Sequence, residues 1–459
     1  MSQTPANPHG VLPLSAKGRR THESPVSRLM AQALRNPNLI NLAAGFVDSL
    51  TLPVDEAGAI TKRIFADPDR GRAALQYDTT LGLRPLRQAV LDHLEKLEGK
   101  PAASMSLTAD QIVITTGSQQ ALYLIADVLV DPGDVVITTN PSYFVFADVL
   151  QSVGAQVMSV PMDEQGMDVD AVERLVEKLV QGGRAPKFIY ITSFYDNPTG
   201  LTLSLPRRRK LLEIVRRFSG ERRILIVEDA AYRELRYDGE ALPTIKSMDA
   251  ENLHTVLTQT FSKPFSPGLK VGYTAMPRDL LEAVLVQKGS HDFGSASICQ
   301  HIAMETLRDG SYARHLELLR RRYRRKRNIM LMALEKHLGG GRGMEAQGGV
   351  KWLRPQGGLY VWVTLPPEAD ASGASALFEA CVRRGVLYVP GEYCFHADES
   401  GRVPVNHMRL SFGQVPHEQI EEGVARLAEA LREVSRRNDH PNVTGADEGR
   451  ARVAAREGR

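Results

Sequence analysis

The middle of the chain carries four side chains whose types suit chemistry on a carbonyl compound. Lys263 lies in the segment TFSK, and a lysine amine is the side chain that forms an imine with an aldehyde. Upstream, Asn197 lies in SFYDNPTG, while Asp229 and Tyr232 lie in VEDAAY. An amine, a carboxylate, an amide and a phenol in this arrangement predict a site for an aldehyde cofactor.

Pyridoxal phosphate is a cofactor that uses each of these groups. Lys263 would hold its aldehyde. Asp229 would face the pyridine nitrogen and keep it protonated, because the charged ring is the electron sink for a substrate carbanion. Asn197 and Tyr232 would donate hydrogen bonds beside the ring hydroxyl and so hold its oxygen as an anion.

Each of these polar groups follows an apolar run. The runs are FIYI before Asn197, ILIV before Asp229 and TVL before Lys263, and all three are typical of buried parallel strands. Ligands of open α/β sheets bind beyond the carboxyl ends of the strands, where these groups would emerge together. Alone, NPTG could be only a type I turn, and a serine–lysine pair could lie in a solvated loop. Their common placement favours one site.

A further apolar run, IVI at 112–114, leads into TTGS and then into a helical pattern through Leu122, Ile125 and Leu129. This arrangement directs backbone N–H groups and the positive end of a helix dipole towards an anion. The glycine lets the backbone approach closely, and Ser118 adds a hydroxyl donor. The alternative is that Ser118 is a plain helix N-cap. We expect this turn to hold the cofactor phosphate.

With these motifs the chain resembles the fold type I pyridoxal-phosphate-dependent aminotransferases of class I/II, and within them the 2-aminoadipate and kynurenine aminotransferase type. The resemblance covers roughly residues 35 to 430. It implies an α/β fold with a mainly parallel sheet covered by helices in a large domain, plus a small α+β C-terminal domain. Beyond the segments above, it rests on LAAGF (42–46), LQYD (75–78) with Gly82-Leu83 and Leu86-Arg87, TTGSQQAL (115–122) and MRLSF (408–412).

The resemblance assigns roles to further residues. Tyr143 would stack on the face of the cofactor ring; a buried core tyrosine is the alternative. Tyr77 would reach the phosphate from the partner subunit, which implies a homodimer. The residues around the phosphate within one subunit would be Ser118, Gln119, Thr260, Ser262 and Lys270.

The sequence departs from the usual family pattern in three places. Thr260 replaces a serine and keeps the hydroxyl group. Lys270 replaces an arginine; it keeps the charge but loses the planar fork that can hold phosphate through two parallel bonds. We therefore expect looser binding of the same cofactor. Two alanines, at 230 and 231, replace Asp-Pro and leave Asp229 and Tyr232 in register.

Arg409, in the MRLSF motif, is the predicted substrate-binding residue. A guanidinium group in a fixed position binds a planar carboxylate through two bonds and so orients the Cα–H bond for cleavage. A surface arginine at the start of a strand is the alternative. Asn197 and the backbone of Gly45 would assist at the carboxylate, and Lys263 would move the proton between Cα and the cofactor carbon. Arg28, on a predicted helix before Gly45, could contact an acidic or aromatic substrate side chain, or be a solvated helix residue.

The pattern of elements divides the chain. Residues from about 55 to 310 alternate short apolar runs with helical stretches, which is typical of a parallel sheet covered by helices. The predicted segments are a mobile arm at 1–23, a segment at 24–54 contributing to the active site and small domain, the large cofactor-binding domain at 55–310, a linking helix at 311–338, the small domain at 339–434 and a disordered tail at 435–459.

Composition restricts the class of protein. A chain of 459 residues, 42% hydrophobic and 24% charged, can bury more than one core, and a net charge of +3 is too small to imply nucleic acid or a membrane as partner. Three cysteines without a CxxC pair argue against a disulfide framework and against a metal site. The chain has neither an apolar signal segment at its start nor a run of about 20 apolar residues, so we expect a cytoplasmic protein.

The basic run RRRYRRKR at 320–327 is expected to lie on a helix. At helical spacing, most of its charges would face solvent, which disfavours nucleic-acid binding. Trp352 and Trp362 are expected in the core rather than in a site. On this helix, the residues that would share the opposite, mostly apolar face are Leu316, Leu319, Tyr323, Arg327 and Met330.

These observations predict an aminotransferase that moves the amino group of an α-amino acid to a 2-oxo acid such as 2-oxoglutarate. One alternative is another pyridoxal phosphate reaction on the same scaffold, such as β-elimination or decarboxylation. A second is a sensor in which this fold is fused to a DNA-binding helix-turn-helix module. The sequence before Gly45 is too short for that module, which disfavours the sensor.

Overall fold

The computed structural model describes residues 12–24, 36, 38–339, 349–398 and 400–439. The strands of this part of the chain are β1 (Ile40–Asn41), β2 (Ile112–Thr115), β3 (Val135–Asn140), β4 (Gln156–Asp163), β5 (Gly166–Met167), β6 (Phe188–Thr192), β7 (Leu225–Asp229), β8 (Thr255–Thr260), β9 (Gly272–Ala275), β10 (Lys351–Trp352), β11 (Tyr360–Thr364), β12 (Val386–Leu387), β13 (Val389–Pro390) and β14 (His407–Ser411).

The α-helices of the described residues lie between and around these strands. In chain order they are α1 (Ala16–Arg20), α2 (Val54–Ala66), α3 (Pro68–Leu75), α4 (Arg84–Glu98), α5 (Gly117–Leu129), α6 (Phe144–Val153), α7 (Val169–Gln181), α8 (Leu205–Phe218), α9 (Ile245–Met248), α10 (Arg278–His291), α11 (Ser297–Arg308), α12 (Ser311–Leu338), α13 (Ala376–Arg383) and α14 (His417–Asp439).

The largest sheet has the strand order β2-β9-β8-β7-β6-β3-β4-β5. Strands β8, β7, β6, β3 and β4 pair in parallel, as predicted for the runs before Asn197, Asp229 and Lys263. Strand β9 pairs antiparallel with both β2 and β8, and β5 pairs antiparallel with β4. The sheet is therefore mixed at both edges and parallel at its centre.

The central strands are apolar along their whole length because helices cover both faces of the sheet. In β6, Phe188 and Tyr190 pack into one hydrophobic core, while Ile189 and Ile191 pack into another. This alternation follows from the two-residue period of a strand. Helices α5 and α6 contribute to the first core, and helices α7 and α8 contribute to the second. The continuous apolar runs are thus explained by burial on both sides.

A second, antiparallel sheet has the order β10-β11-β14-β13 and includes the strand that carries Arg409. Strand β1 pairs in parallel with β12, which ties residues 40–41 to this C-terminal part of the chain. Helix α12 connects the two parts. Glycines 310 and 339 flank it in the left-handed conformation, with φ of 75° and 62°, which explains where this helix begins and ends.

The basic run at 320–327 is less solvated than expected. The expected apolar face of α12 is buried, including Arg327, and both tryptophans are buried as predicted. However, Lys326 is also fully buried, and Arg322 is half-buried and paired with Asp48. The prediction that most of these charges face solvent is therefore wrong for these side chains, because carboxylate and carbonyl partners lie beside α12.

Some described residues within the expected arm and tail are helical. Helix α1 lies within the segment expected to be mobile, and Lys17 in α1 donates to the Tyr123 hydroxyl and pairs with the Asp127 carboxylate of α5. These contacts tie α1 to α5. Helix α14 continues to Asp439, beyond the predicted start of the tail at 435. Within the described residues, no helix has the length and apolar character that crossing a membrane requires.

Candidate functional site

A cavity of about 320 Å³ lies at the carboxyl ends of β6, β7 and β8, between the main sheet and β11 and β14. The sequence motifs that are far apart in the chain meet here, as the parallel arrangement predicts. The predicted site residues that line the cavity are Gly45, Ser118, Gln119, Tyr143, Asn197, Asp229, Tyr232, Thr260, Ser262, Lys263, Lys270 and Arg409.

Lys263 follows β8 in a tight turn, and its Nζ donates a hydrogen bond of 2.7 Å to the carbonyl oxygen of Gly45. Burial lowers the pKa of the Lys263 amine, and the nearby cations Arg409 and Lys270 lower it further, against the opposing effects of Tyr360 and Asp229. A lowered pKa increases the fraction of the neutral amine, which is the nucleophile that attacks an aldehyde. The surroundings of Lys263 therefore favour its neutral amine.

Asp229 is the last residue of β7. Its Oδ2 accepts a 3.1 Å hydrogen bond from the Tyr190 hydroxyl, and its Oδ1 accepts one of 3.1 Å from the backbone N–H of Ala231. Burial raises the pKa of Asp229 to about 6, although these two donors and Lys263 favour the carboxylate. A cationic group placed against this carboxylate would restore its ionised form. The two hydrogen bonds hold the Asp229 carboxylate towards the cavity.

Arg409 projects from β14 into the cavity. Its Nη1 donates to Oδ1 of Asn197 at 2.6 Å, and its Nη2 donates to the carbonyl of Ala43 at 2.9 Å. Its Nε–H is buried and has no hydrogen-bond acceptor among the described residues. The expected joint placement of Arg409, Asn197 and the Gly45 segment is present. The carbonyl that contacts Arg409 is that of Ala43, whereas the Gly45 carbonyl accepts from Lys263.

Tyr360, on β11, is a residue of the cavity that the sequence analysis did not single out. Its hydroxyl lies 2.9 Å from the Tyr232 hydroxyl, and the guanidinium of Arg409 lies 4.3 Å from the centre of its ring. In the register of β11 and β14, Trp362 lies opposite Arg409, so Tyr360 is a diagonal neighbour of Arg409. No sequence signal identified this residue, since the pairing of the two strands brings it to the site.

The turn before α5 has the geometry of an anion site. Gly117 has φ of 71° and is the first residue of the helix, so Ser118 and Gln119 lie in its first turn. Thr116 precedes the helix, and therefore the alternative of Ser118 as a plain N-cap is wrong. Gly272 of β9 packs against this turn; a Cβ there would lie 2.7 Å from the backbone nitrogen of Ser118. Only glycine allows this approach.

Hydroxyl groups and a cation face this turn from the segment after β8. The Thr260 hydroxyl donates to Oγ of Ser262 at 2.8 Å and accepts from the Ser262 N–H at 3.0 Å, so threonine keeps the hydroxyl in the site. Lys270 has φ of 53° and follows a short 3-10 helix, Pro267–Leu269. Tyr143 precedes α6, and its hydroxyl donates to Oε1 of Gln119 at 3.4 Å.

Two residues of the prediction are not among those that line the cavity. Tyr77 does not line the cavity of its own chain; it is 84% exposed and packs edge-on against the exposed Phe293 with ring centres 5.8 Å apart. Arg28 lies outside the described residues. The position of Tyr77 leaves it free to contact a second subunit.

Asp196, next to Asn197, is a buried carboxyl group that the sequence analysis did not single out. Its Oδ2 accepts hydrogen bonds from the Thr199 N–H at 3.1 Å and the Thr199 hydroxyl at 2.7 Å. Burial raises the pKa of Asp196 to about 7, with Asp229 adding to the rise and Thr199 opposing it. This carboxyl group closes the turn that presents Asn197 to the cavity.

Asp196→Asn is expected to flatten the pH dependence of the stability of the cofactor-free protein. The folded state keeps the Asp196 proton to higher pH than the unfolded state, so this group lowers stability as pH rises from about 4 to about 7. Asparagine cannot lose a proton. The variant should therefore keep up to about 4 kcal/mol of unfolding free energy that the parent protein loses over this pH range. Urea unfolding of both proteins between pH 5 and pH 8 measures this. The exposed Asp69→Asn should follow the parent, and parallel curves for parent and Asp196→Asn would contradict the assignment.

The donor set fits pyridoxal phosphate. The cavity offers a lysine for the cofactor aldehyde and a fixed carboxylate for its ring nitrogen. For the phosphate it offers a helix N-terminus with hydroxyl groups and a second lysine beside it. The buried Nε–H of Arg409 lacks an acceptor, as expected for a group that awaits a ligand carboxylate. The residues that would hold the cofactor are therefore already in place.

Comparison with known proteins agrees with this site. The model of the family "Aminotransferase class I and II" matches residues 37–427. Aromatic-amino-acid aminotransferase 1 of Thermococcus litoralis is 34% identical over 407 residues, which is 88% of this chain and 91% of the relative. The crystal structure of the multiple substrate aminotransferase from Thermococcus profundus is similar with a TM-score of 0.82 and 35% identity, covering 92% of this chain and 98% of the other.

A third structure bears on the cofactor. LysN, the alpha-aminoadipate aminotransferase of Thermus thermophilus, was crystallised with N-(5'-phosphopyridoxyl)-L-leucine. It has a TM-score of 0.78 and 30% identity, covering 92% of this chain and 97% of LysN. The expected fold and cofactor are thus confirmed. The chain belongs to the class I and II aminotransferases and is a pyridoxal-phosphate-dependent aminotransferase.

Proposed function

We propose that this enzyme transfers the amino group of an α-amino acid to a 2-oxo acid such as 2-oxoglutarate, with Lys263 holding the cofactor. The observation that carries this proposal is the convergence of Lys263, Asp229 and the Arg409–Asn197 pair on one cavity. When bound, pyridoxal phosphate supplies the electron sink that stabilises negative charge at the substrate Cα.

Lys263 would act as the acid and base of the reaction. Its amine, released by the incoming substrate, would take the proton from Cα and return it to the cofactor side. The lowered pKa of Lys263 supports this role, because a base with a pKa closer to the working pH is available in its neutral form. Asp229 would keep the ring nitrogen protonated, and Asn197 and Tyr232 would hold the ring oxygen.

The phosphate would lie at the N-terminus of α5. Backbone N–H groups of the first turn and the cation Lys270 support this position. Tyr143, at the start of α6, would cover one face of the ring. The other phosphate ligands would be Ser118, Gln119, Thr260 and Ser262.

Arg409 would bind the substrate α-carboxylate. It is held by neutral acceptors, Asn197 Oδ1 and the Ala43 carbonyl, so its positive charge is not neutralised by a carboxylate contact in the described structure. A substrate carboxylate would satisfy the buried Nε–H and gain charge-assisted hydrogen bonds. Arg28 remains a proposed contact for an acidic or aromatic side chain; unchanged substrate preference in Arg28→Ala would contradict it.

The experiment that tests the reaction is a half-reaction followed by visible absorption. Single amino acids are added to the purified holoenzyme, first without and then with 2-oxoglutarate. Because the relatives include an aromatic-amino-acid aminotransferase and an alpha-aminoadipate aminotransferase, phenylalanine, tyrosine and 2-aminoadipate are added first. Conversion to the amino form of the cofactor, reversed by the oxo acid, supports the proposal. Release of pyruvate or carbon dioxide without an amino acceptor would indicate a lyase or decarboxylase.

Arg409→Lys is expected to lower kcat/KM for the amino acid about 10- to 100-fold, with most of the change in KM. Lysine keeps the charge but cannot form two parallel bonds to a carboxylate, and a hydrogen bond to a charged group contributes roughly 1.5 to 3 kcal/mol. Steady-state kinetics measures the change. The exposed Arg402→Lys, in the loop before β14, is the control, and equal KM values in the Arg409 variant and the parent would exclude the role.

We further propose a homodimer in which Tyr77 contacts the phosphate of the partner subunit. The exposed aromatic pair of Tyr77 and Phe293, with the exposed Leu75 nearby in sequence, supports a protein contact at this surface. Sedimentation should give twice the chain mass. Mixing Lys263→Ala with Tyr77→Ala chains should restore tight cofactor binding in hybrid dimers if Tyr77 acts across the interface. An active monomer would contradict the proposal.

We also propose the division into a large domain at 55–310 and a small domain at 339–434, linked by α12, and a cytoplasmic location. The separate main and C-terminal sheets support the division. The three cysteines are free thiols, and two of them are buried, which is typical of a reducing compartment.

A further inference from the structure

A buried charged cluster lies on α12, next to the candidate site. The side chain of Lys326 has no exposed surface, and its Nζ lies 2.8 Å from Oδ2 of Asp48 and donates to the carbonyl of Gly413 at 2.8 Å. Arg322, one helical turn earlier, donates through Nε to the same Oδ2 at 2.6 Å. Tyr323 accepts the backbone N–H of Asp48 at 3.0 Å. One face of α12 thus holds both the side chain and the backbone of Asp48.

Both partners of Lys326 belong to segments that form the substrate site. Asp48 follows Gly45 by three positions, and Gly413 follows Arg409 by four. The two segments also contact each other directly. The Ser411 N–H donates to the Leu42 carbonyl at 2.6 Å, and a Cβ on Gly413 would lie 2.3 Å from the carbonyl oxygen of Phe46. The Lys326 ammonium therefore adds a buried link, through the Asp48 carboxylate and the Gly413 carbonyl, between two segments that the Ser411–Leu42 and Arg409–Ala43 hydrogen bonds also connect.

The buried ion pair of Lys326 and Asp48 indicates a role beyond stability. Burying an ammonium group costs free energy, and apolar side chains of similar volume often stabilise a protein as well or better. Burial alone would raise the pKa of Asp48, but the hydrogen bonds and charges of Lys326 and Arg322 hold it below its usual range. The directional bonds of Lys326 fix a geometry that an apolar contact would not fix.

We propose that Lys326, acting through Asp48 and Gly413, is a positioning residue that sets the distance between the 43–46 segment and Arg409. This inference rests on the proposed role of Arg409 in binding the substrate carboxylate. The Ala43 carbonyl and Asn197 fix the Arg409 fork, so a shift of the 43–46 segment would move one of its acceptors. Since α12 also links the two parts of the chain, the cluster transmits the position of this helix to the carboxylate site.

The test uses the holoenzyme and 3-phenylpropanoate, a carboxylate without an amino group. Lys326→Met removes the two bonds at nearly constant volume, and Asp48→Asn removes the charge of the partner while keeping an acceptor. Arg325→Met, an exposed basic residue of the same helix, is the matched control. The measured quantities are the Kd of 3-phenylpropanoate from changes in cofactor absorption, KM and kcat for the best amino acid, cofactor Kd and Tm.

We expect Lys326→Met to raise the Kd of the carboxylate and the KM about tenfold, because small misplacements at a substrate site have large kinetic effects. The kcat at saturation and the cofactor Kd should change less than about twofold, and Arg325→Met should match the parent. Asp48→Asn should change the same two constants in the same direction, which keeps the test decisive if Lys326→Met does not fold.

The opposite pattern would overturn the inference. If Tm falls while the Kd of the carboxylate and KM stay within about twofold of the parent, Lys326 acts only on stability. Arg409→Lys separates this failure from failure of the proposed function. If Arg409→Lys weakens 3-phenylpropanoate but Lys326→Met does not, only the positioning role is wrong. If neither variant affects carboxylate binding, the role of Arg409 and the inference fail together.

Discussion

Replacement of Lys263 by alanine should lower kcat by at least about 10⁴-fold, because it removes both the amine that holds the cofactor and the acid–base group of the proton transfer. The surroundings of this amine explain its importance. Its Nζ donates a 2.7 Å hydrogen bond to the carbonyl of Gly45, a residue of the proposed substrate site. Lys263→Arg should be equally inactive, since a guanidinium group stays protonated and cannot form the imine.

The direct measurement is covalent attachment. Borohydride reduction of the holoenzyme fixes an imine as a stable amine, and peptide mass spectrometry should locate the cofactor on Lys263 alone. The same treatment of Lys263→Ala should leave the chain mass unchanged. Lys178→Ala, an exposed lysine on α7, should behave as the parent in both assays. Attachment to Lys270, which lines the same cavity, would contradict the assignment.

Replacement of Asp229 by asparagine should lower kcat about 10³-fold while the fold is retained. A fixed charge aimed at a site of developing charge typically contributes 10²- to 10³-fold, and here it acts in a buried setting. Asparagine keeps the shape: its Oδ1 can still accept from the Ala231 N–H, and its amide NH2 can donate to the Tyr190 hydroxyl, the two groups that lie 3.1 Å from the Asp229 carboxylate. The loss should therefore report the missing negative charge rather than a collapsed site.

The half-reaction rate with a saturating amino acid measures this effect without interference from product release. The exposed Asp69→Asn is the matched control for loss of one carboxylate. Asp229→Glu should recover part of the rate, because it restores the charge at a slightly different position. A half-reaction in Asp229→Asn within about tenfold of the parent would exclude a role for this carboxylate in stabilising charge at the cofactor.

Local sequence patterns predicted where the side chains of the proposed cofactor site meet. Asn197, Asp229 and Lys263 each follow a run of apolar residues, and the local rule that such runs are parallel strands places their ends at one edge of a sheet. The phosphate turn is also local, because strand, glycine and helix are contiguous in the chain. Features that depend on neighbouring residues could be predicted, since backbone geometry links them directly.

Features that depend on contacts between distant segments could not be predicted from local sequence patterns. Tyr360 reaches Tyr232 across 128 positions because β11 pairs with β14, and Arg322 reaches Asp48 across 274 positions because the linking helix packs against the Gly45 segment. The same packing buries Lys326, which lies outside the buried face that helical spacing predicted. A side-chain pattern shows which faces of a helix differ, but it does not show which carboxylate or carbonyl lies opposite. Only the tertiary structure supplies those partners, and with them the burial and the charge balance of the site.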